Sequence, residues 1–167
     1  MAGKGRGKQL ETEIGRCNRK YQENRWAFVV RQEVPVVAIG RKLRRTKAAI
    51  PDFMGFVKFR GQSIPVLFDA KETHRRRWPI RSGGGLEEHQ IEAMRTFEEM
   101  GGVAVVYLAY MPTEDRPERR DFMIRIGALL SEDLPKTIPI DVAESIGTET
   151  IGGEWLLHPF MRIAFST

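Results

Sequence analysis

Three charged residues near the middle of the chain have types and spacing that suit phosphodiester chemistry. Asp52 follows a proline, and Asp69 and Lys71 flank a single alanine. Two carboxylates bind a hard divalent cation, which lowers the pKa of a bound water and offsets phosphate charge. An ammonium group nearby orients the attacking water or stabilises the transition state. The set predicts metal-dependent phosphodiester hydrolysis. The alternative is a surface salt bridge between Lys71 and either carboxylate.

A predicted β-hairpin positions these three side chains. Apolar and polar residues alternate on both sides of a turn near residues 60–62, as in half-buried strands. One choice of two-residue turn places Asp52 opposite Lys71, and the other places it opposite Asp69. Both registers bring the charged side chains to one face, so their convergence follows from the alternation. The two predicted arms are Phe53–Phe59 and Ile64–Ala70.

Helices and further strands are predicted around this hairpin. Apolar residues at i, i+4, i+7 and i+11 indicate an amphipathic helix over residues 9–24, and a second helix is predicted over residues 86–100. Beyond residue 131 the pattern weakens. The further predicted strands are Trp26–Val30, Val34–Ile39, Val103–Tyr110 and Phe122–Ile126. The C-terminal residues expected to pack back on the body are Trp155, Leu156, Leu157, Phe160 and Ile163.

Length and composition indicate one globular domain. The 167 residues are 41% hydrophobic and 29% charged, which is too apolar for a disordered chain. We expect a flexible basic tail over residues 1–8 and a single domain over residues 9–167. No apolar run approaches the roughly 18 residues that span a bilayer. The one cysteine excludes an internal disulfide framework, and no secretory signal is recognised, so a cytoplasmic location is expected.

The positive charge of the chain is concentrated in its first half. Residues 1–82 hold 20 of the 27 Lys and Arg residues and 7 of the 22 Asp and Glu residues, a net charge of +13, whereas residues 83–167 carry −8. Such a split suggests a face for a polyanion. Gly40–Lys47 is predicted to protrude as a basic hairpin or loop. Arg75–Arg77 is predicted to contact phosphate, with Trp78 either stacking on a base or packing inside the protein.

Two other kinds of site are disfavoured. The run Gly83–Gly85 lacks the Gly-Lys-Ser/Thr ending of a nucleotide-triphosphate loop, so no nucleotide cofactor is expected. We expect this run to be a mobile loop beside the path of the DNA. The histidines lack zinc-ligand spacing.

The motifs, in their order along the chain, resemble those of the RecU-type Holliday-junction resolvases in the restriction-endonuclease-like superfamily. The resemblance covers roughly residues 7–110, and its most specific part is Ala70-Lys71-Glu72-Thr73 with a later His89-Gln90-Ile91. Asp69 stands where the family often has Glu. The other matching pieces are Gly7-Lys8-Gln9-Leu10-Glu11, Asn18, Tyr21, Pro35, Pro51-Asp52-Phe53-Met54-Gly55, Phe68-Asp69 and Pro79.

The resemblance implies an α/β fold with a mixed central sheet flanked by helices, and a catalytic set around one or two Mg²⁺ or Mn²⁺ ions. Asp52, Asp69 and the Ala70 carbonyl would be metal ligands, and Glu11 a further acidic residue of the site. Lys71 would be the catalytic lysine. Glu72 lies on the opposite strand face, so we expect an arginine partner for it and no catalytic role.

The resemblance also implies a homodimer that cuts four-way DNA junctions symmetrically, with a stalk over about residues 36–50 entering the junction. Gln90 would support the site or contact DNA. A nuclease for other branched or linear DNA, and a non-catalytic DNA-binding protein, remain the alternatives. The residues expected to contact DNA are Lys8, Arg41, Lys42, Arg44, Arg45, Lys47, Thr73, Arg75, Arg76, Arg77 and Gln90.

Overall fold

The predicted hairpin lies within a chain whose first half is mainly strands after one long helix and whose second half mixes helices and strands. The computed structural model describes residues 8–32, 36–39, 42–45, 51–81 and 83–156. In chain order these residues form α1 (Lys8–Glu23), β1 (Ala27–Arg31), β2 (Val36–Ile39), β3 (Lys42–Arg45), β4 (Phe53–Phe59), β5 (Gln62–Thr73), β6 (Arg77–Pro79), α2 (Glu88–Glu99), β7 (Val103–Tyr110), β8 (Arg120–Arg125), α3 (Ile126–Leu129), β9 (Thr137–Pro139), α4 (Ile140–Ile146) and β10 (Thr148–Thr150).

Six of these strands form one mixed sheet in the order β1-β4-β5-β7-β8-β10. β5 and β7 run parallel, and α2 forms the crossover between them, whereas the other neighbours are antiparallel. The eight residues of β7 are all buried, as their continuous apolar sequence predicts. The predicted fold class, a mixed central sheet flanked by helices, is confirmed.

The turn between β4 and β5 decides which of the two predicted registers is right. Arg60 and Gly61 both have positive φ, 47° and 81°, which is the backbone of a two-residue type I′ turn. The strands therefore pair Phe53 with Phe68. Continuing this register by one residue sets Asp52 opposite Asp69, and the alternative with Lys71 opposite Asp52 is wrong.

Helices cover the two faces of the sheet unequally. On one face, Leu10, Ile14 and Tyr21 of α1 pack against buried residues of β1, β4, β5 and β7. The C-terminal Trp155 joins this core, and its indole N–H donates to the Asn18 side chain at 2.7 Å. The predicted packing of Trp155 and Leu156 is confirmed, whereas Leu157, Phe160 and Ile163 lie outside the described residues.

On the other face, α2, α3 and α4 cover β5, β7 and β8 but leave β1 and β4 open. Phe28 and Phe56 are cross-strand partners there and are 53% and 54% exposed. Val30 and Met54, the next such pair on this face, are also exposed, as is Trp26 before β1. This set of five residues is named the open apolar face.

The structure describes part of the predicted basic stalk, and its protrusion from the domain stays a prediction. β2 and β3 pair antiparallel, Val36 with Arg45 and Ile39 with Lys42. The residues on both sides of this hairpin, and the predicted tail apart from Lys8, lie outside the described part of the chain. In the described part, no helix combines the length and the apolar character needed to cross a membrane.

Candidate active site

Asp69 and Lys71 form an ion pair at the centre of the sheet face that α2 covers. The Lys71 Nζ atom lies 2.7 Å from Asp69 Oδ2, and Asp69 is fully buried. From α2, the Gln90 side-chain amide donates to Asp69 Oδ1 at 2.6 Å. The Gln90 amide oxygen accepts from Lys71 Nζ at 3.4 Å and from the Glu87 backbone N–H at 3.0 Å. One glutamine thus fixes both charged groups to the start of α2.

Asp52 joins this pair from the neighbouring strand. Its side chain accepts a hydrogen bond from the Ala70 backbone N–H at 2.9 Å. Ala70 lies between Asp69 and Lys71, so the contact holds the Asp52 carboxylate at the Asp69-Ala70-Lys71 segment. The predicted convergence of the three charged residues is therefore present, with Asp52 brought there by the register of the hairpin.

Glu11 reaches the same region from the first turn of α1. It forms an ion pair with Arg31, the last residue of β1. Burial raises the pKa of Glu11, the Asp52 charge raises it further, and Arg31 opposes both effects. Only the resemblance implied a place in the site for Glu11, and the structure brings Glu11 close enough to interact electrostatically with Asp52.

The electrostatics of Asp69 show how crowded the carboxylates are. Burial raises the pKa of Asp69 from 3.8 to about 7, against the attraction of Lys71. The charges of Asp52 and Glu11 push in the same direction as burial. Carboxylates that repel one another in a buried place are stabilised in their ionised form by an added cation.

This donor set fits a divalent metal ion. No three carboxylate, imidazole or thiolate groups of the described residues close around one point. Mg²⁺ does not need such a cage, since it usually keeps several waters and takes one or two carboxylates plus substrate phosphate. Asp69 Oδ2 is buried and, although near Lys71, lacks a partner with hydrogen-bond geometry. Asp52, Asp69 and the Ala70 carbonyl are the groups that would hold the ion, with Glu11 nearby.

An open cavity of about 620 Å³ lies beside this set. Lys71 and Arg81 line it together with the glycine run and the start of α2. The mobility predicted for the glycine run stays a prediction. The cavity gives Lys71 a route to solvent.

Comparison with known proteins identifies the family of this chain. The family model described as "RecU: Recombination protein U" matches residues 5–140. The chain belongs to the RecU family. The Holliday junction resolvase RecU of Bacillus pumilus strain SAFR-032 is 28% identical over 128 residues, which are 66% of this chain and 59% of that relative. The chain thus covers less than two thirds of the relative's length.

Most of the residues expected to contact DNA in this RecU family member lie either in the segment at the end of β5 or in the basic segments nearer the N-terminus. Arg75, Arg76 and Arg77 are exposed directly after β5, and Arg76 pairs with Asp115. Thr73 is buried, and its hydroxyl accepts from the Arg75 N–H at 3.1 Å, so it supports this loop. Lys8, Lys42, Arg44 and Arg45 lie in described helix or strand backbone, whereas Arg41 and Lys47 lie outside the described residues.

The structure decides between the two alternatives for Trp78 and shows one partner of Glu72. Trp78 is 1% exposed and its indole donates to the Gly84 carbonyl, so the packed alternative is right and base stacking is wrong. Glu72 accepts from the Leu10 backbone N–H at 2.8 Å, a helix contact that the sequence pattern did not suggest. Arg31 was also missed, because no motif marks a lone arginine at the end of a strand.

Proposed function

We propose that this RecU family protein is a Holliday-junction resolvase, a divalent-metal-dependent endonuclease that cuts four-way DNA junctions by phosphodiester hydrolysis. The observation that carries the proposal is the buried Asp69–Lys71 pair with Asp52 and Glu11 gathered beside it. The family membership and the printed name of the Bacillus pumilus relative support it. We place the protein in the cytoplasm, since a lone cysteine is typical of a reducing compartment.

In this proposal, Asp52, Asp69 and the Ala70 carbonyl hold Mg²⁺ or Mn²⁺, as one or two ions per site. When bound, the ion polarises the phosphate and favours ionisation of a water. Glu11 adds negative charge at the edge of this set. The carboxylates also keep the ammonium of Lys71 at the site, which places a positive group where charge develops on the phosphate.

Lys71 and Gln90 are the residues that orient the reaction. The ammonium of Lys71 contacts both Asp69 and the Gln90 amide oxygen, so its position is set by two elements. As an ammonium, Lys71 orients the attacking water through its N–H groups and neutralises charge that develops on the phosphate. Gln90 keeps Asp69 and Lys71 in register with α2.

The homodimer is part of the same proposal, because symmetric cutting needs two active sites. The open apolar face supports it. Large exposed aromatic residues in a contiguous group are unusual on a monomer and typical of the centre of a protein interface. β1 is the edge strand of the sheet, and the face continues along β4 toward Asp52. A second copy seated there adjoins the metal-binding side of the protein.

The cleavage test uses the Asp69→Asn variant on a synthetic four-way junction with Mg²⁺. We expect the parent to cut paired strands at symmetric positions, leaving 5′-phosphate ends, and the variant to be inactive while still binding the junction. Asp141→Asn, at the exposed start of α4, is the matched control and should cut like the parent.

Two results would point to a different function. Equal cutting of a junction, a flap and a duplex by the parent identifies a nuclease without junction selectivity. Salt-sensitive binding without cleavage under Mg²⁺ or Mn²⁺ identifies a DNA-binding protein. An Asp69→Asn protein that cuts as fast as the parent excludes the mechanism.

A further inference from the structure

Glu72 connects the catalytic strand to the start of α1. It directly follows Lys71 on β5, and its side chain lies on the opposite face of the strand, toward α1. Its Oε1 atom accepts the Leu10 backbone N–H at 2.8 Å, across 62 residues of sequence. The contact is partly buried, so water competes with it less than at an open surface.

The N–H that Glu72 accepts is one that the helix cannot satisfy by itself. Leu10 is the third residue of α1, and the first four N–H groups of a helix have no intrahelical acceptor. A carboxylate at a helix N-terminus also interacts favourably with the helix dipole. The Leu10 side chain is buried in the core. Glu72 therefore fixes both the start and the orientation of this first turn.

The residue after Leu10 is Glu11, so the contact acts on the backbone that carries an acidic group of the site. The Glu11 side chain has its own ion pair with Arg31 of β1. Glu72 is thus a polar link, beside the apolar packing of α1, that relates Glu11 to the strand of Asp69 and Lys71. A small shift of this turn would change the distance between Glu11 and the other two carboxylates.

We propose that Glu72 is a positioning residue, which sets Glu11 relative to Asp69 for metal binding by accepting the Leu10 N–H. This inference rests on the proposed metal-dependent nuclease function. It assigns to Glu72 neither contact with the metal nor contact with DNA. The proposed role depends on the length of the Glu72 side chain, which brings its oxygen to the Leu10 N–H, more than on its negative charge.

Two variants separate reach from charge. Glu72→Gln keeps an oxygen at the same distance along the side chain and removes the charge, whereas Glu72→Asp keeps the charge and shortens the side chain by one methylene group. We expect Glu72→Asp to weaken Mn²⁺ binding and to raise the Mg²⁺ concentration for half-maximal junction cleavage by about tenfold or more. Glu72→Gln should stay within about twofold of the parent in both measurements.

Hydrogen exchange gives a readout that does not depend on activity. The Leu10 and Glu11 amides should exchange faster in Glu72→Asp than in the parent, and at the parent rate in Glu72→Gln. Glu13→Asp is the matched control, because Glu13 anchors the same helix to Arg119 at 2.7 Å. We expect it to lower the free energy of unfolding without changing Mn²⁺ affinity.

Three results overturn the inference: equal defects in both Glu72 variants, a larger defect in Glu72→Gln, or unchanged Mn²⁺ affinity in Glu72→Asp. A larger defect in Glu72→Gln would mean that the charge acts directly, and equal defects would mean that side-chain length and charge matter alike. If the parent binds Mn²⁺ but cuts no junction, the proposed function fails, while the order of Mn²⁺ affinities among the variants still decides the role of Glu72.

Discussion

Burial of the Asp69 carboxyl group predicts an unusual pH dependence of stability for the metal-free protein. In the folded state the pKa of Asp69 rises from 3.8 to about 7, with burial as the main cause. Between these two pH values the folded protein keeps a proton that the unfolded chain has released. The folded state therefore binds more protons, and the free energy of unfolding falls as the pH rises through this window.

The size of the effect follows from the two pKa values. One pKa unit corresponds to about 1.36 kcal/mol, so the rise from 3.8 to about 7 sets an upper bound of about 4 kcal/mol. Below pH of about 4 the carboxyl is protonated in both states and contributes nothing. Above pH of about 7 it is ionised in both states, and the full loss of stability is present.

The assay is urea unfolding of the parent and of Asp69→Asn in EDTA at several pH values from about 4 to 8. Asparagine cannot ionise, so subtracting the two profiles removes most contributions of other titrating groups. A pH-independent offset is expected, since the amide replaces the ion pair with Lys71. On top of this offset, the parent should lose up to about 4 kcal/mol relative to the variant as the pH rises from 4 to 7.

A difference that does not change with pH would refute this reasoning. So would a parent that gains stability relative to the variant over this range, since the attraction of Lys71 would then outweigh burial. With Mg²⁺ at a hundred times its dissociation constant, the parent should recover about 2.7 kcal/mol, and Asp69→Asn should recover less.

Three further outcomes are expected. Gln90→Leu removes the amide that contacts Asp69 and Lys71, so single-turnover junction cleavage should fall by about 10- to 100-fold with binding unchanged; loss of binding alone would contradict this. Phe56→Asp should convert a dimer to a monomer in light scattering. Met100 is also apolar and is 81% exposed but lies outside the open apolar face, so Met100→Asp should leave the dimer intact. Arg77→Ala should reduce the log–log salt slope of junction binding by about 0.9 if it neutralises one phosphate, and an unchanged slope would exclude that contact.

Local patterns in the sequence predict the elements that carry the site. The alternation in β4 and β5 places Asp69 and Lys71 on one face, and the apolar stripe at Leu10, Ile14 and Tyr21 predicts α1. These predictions succeed because strand and helix periodicity is set by the backbone and needs no distant contact. The register of the hairpin stayed open, since it depends on which two residues adopt positive φ.

The tertiary structure alone decides which distant groups meet. Glu11 stands far from Asp69 in sequence, and its place follows from how α1 packs on the sheet. The contacts of Arg31 with Glu11 and of Glu72 with Leu10 join elements that no local pattern relates. The roles of the named site residues in catalysis and DNA binding stay predictions.

Exposure is decided by the tertiary structure for the same reason. Phe28 and Phe56 alternate with buried residues in strands that resemble those of the core, yet none of the helices in the described ranges packs over them. Trp78, which stands beside three arginines, is buried because β6 pairs with β9. Residue type and spacing thus indicate the chemistry proposed for this protein, and long-range packing determines which of those groups lie together and which apolar side chains stay exposed.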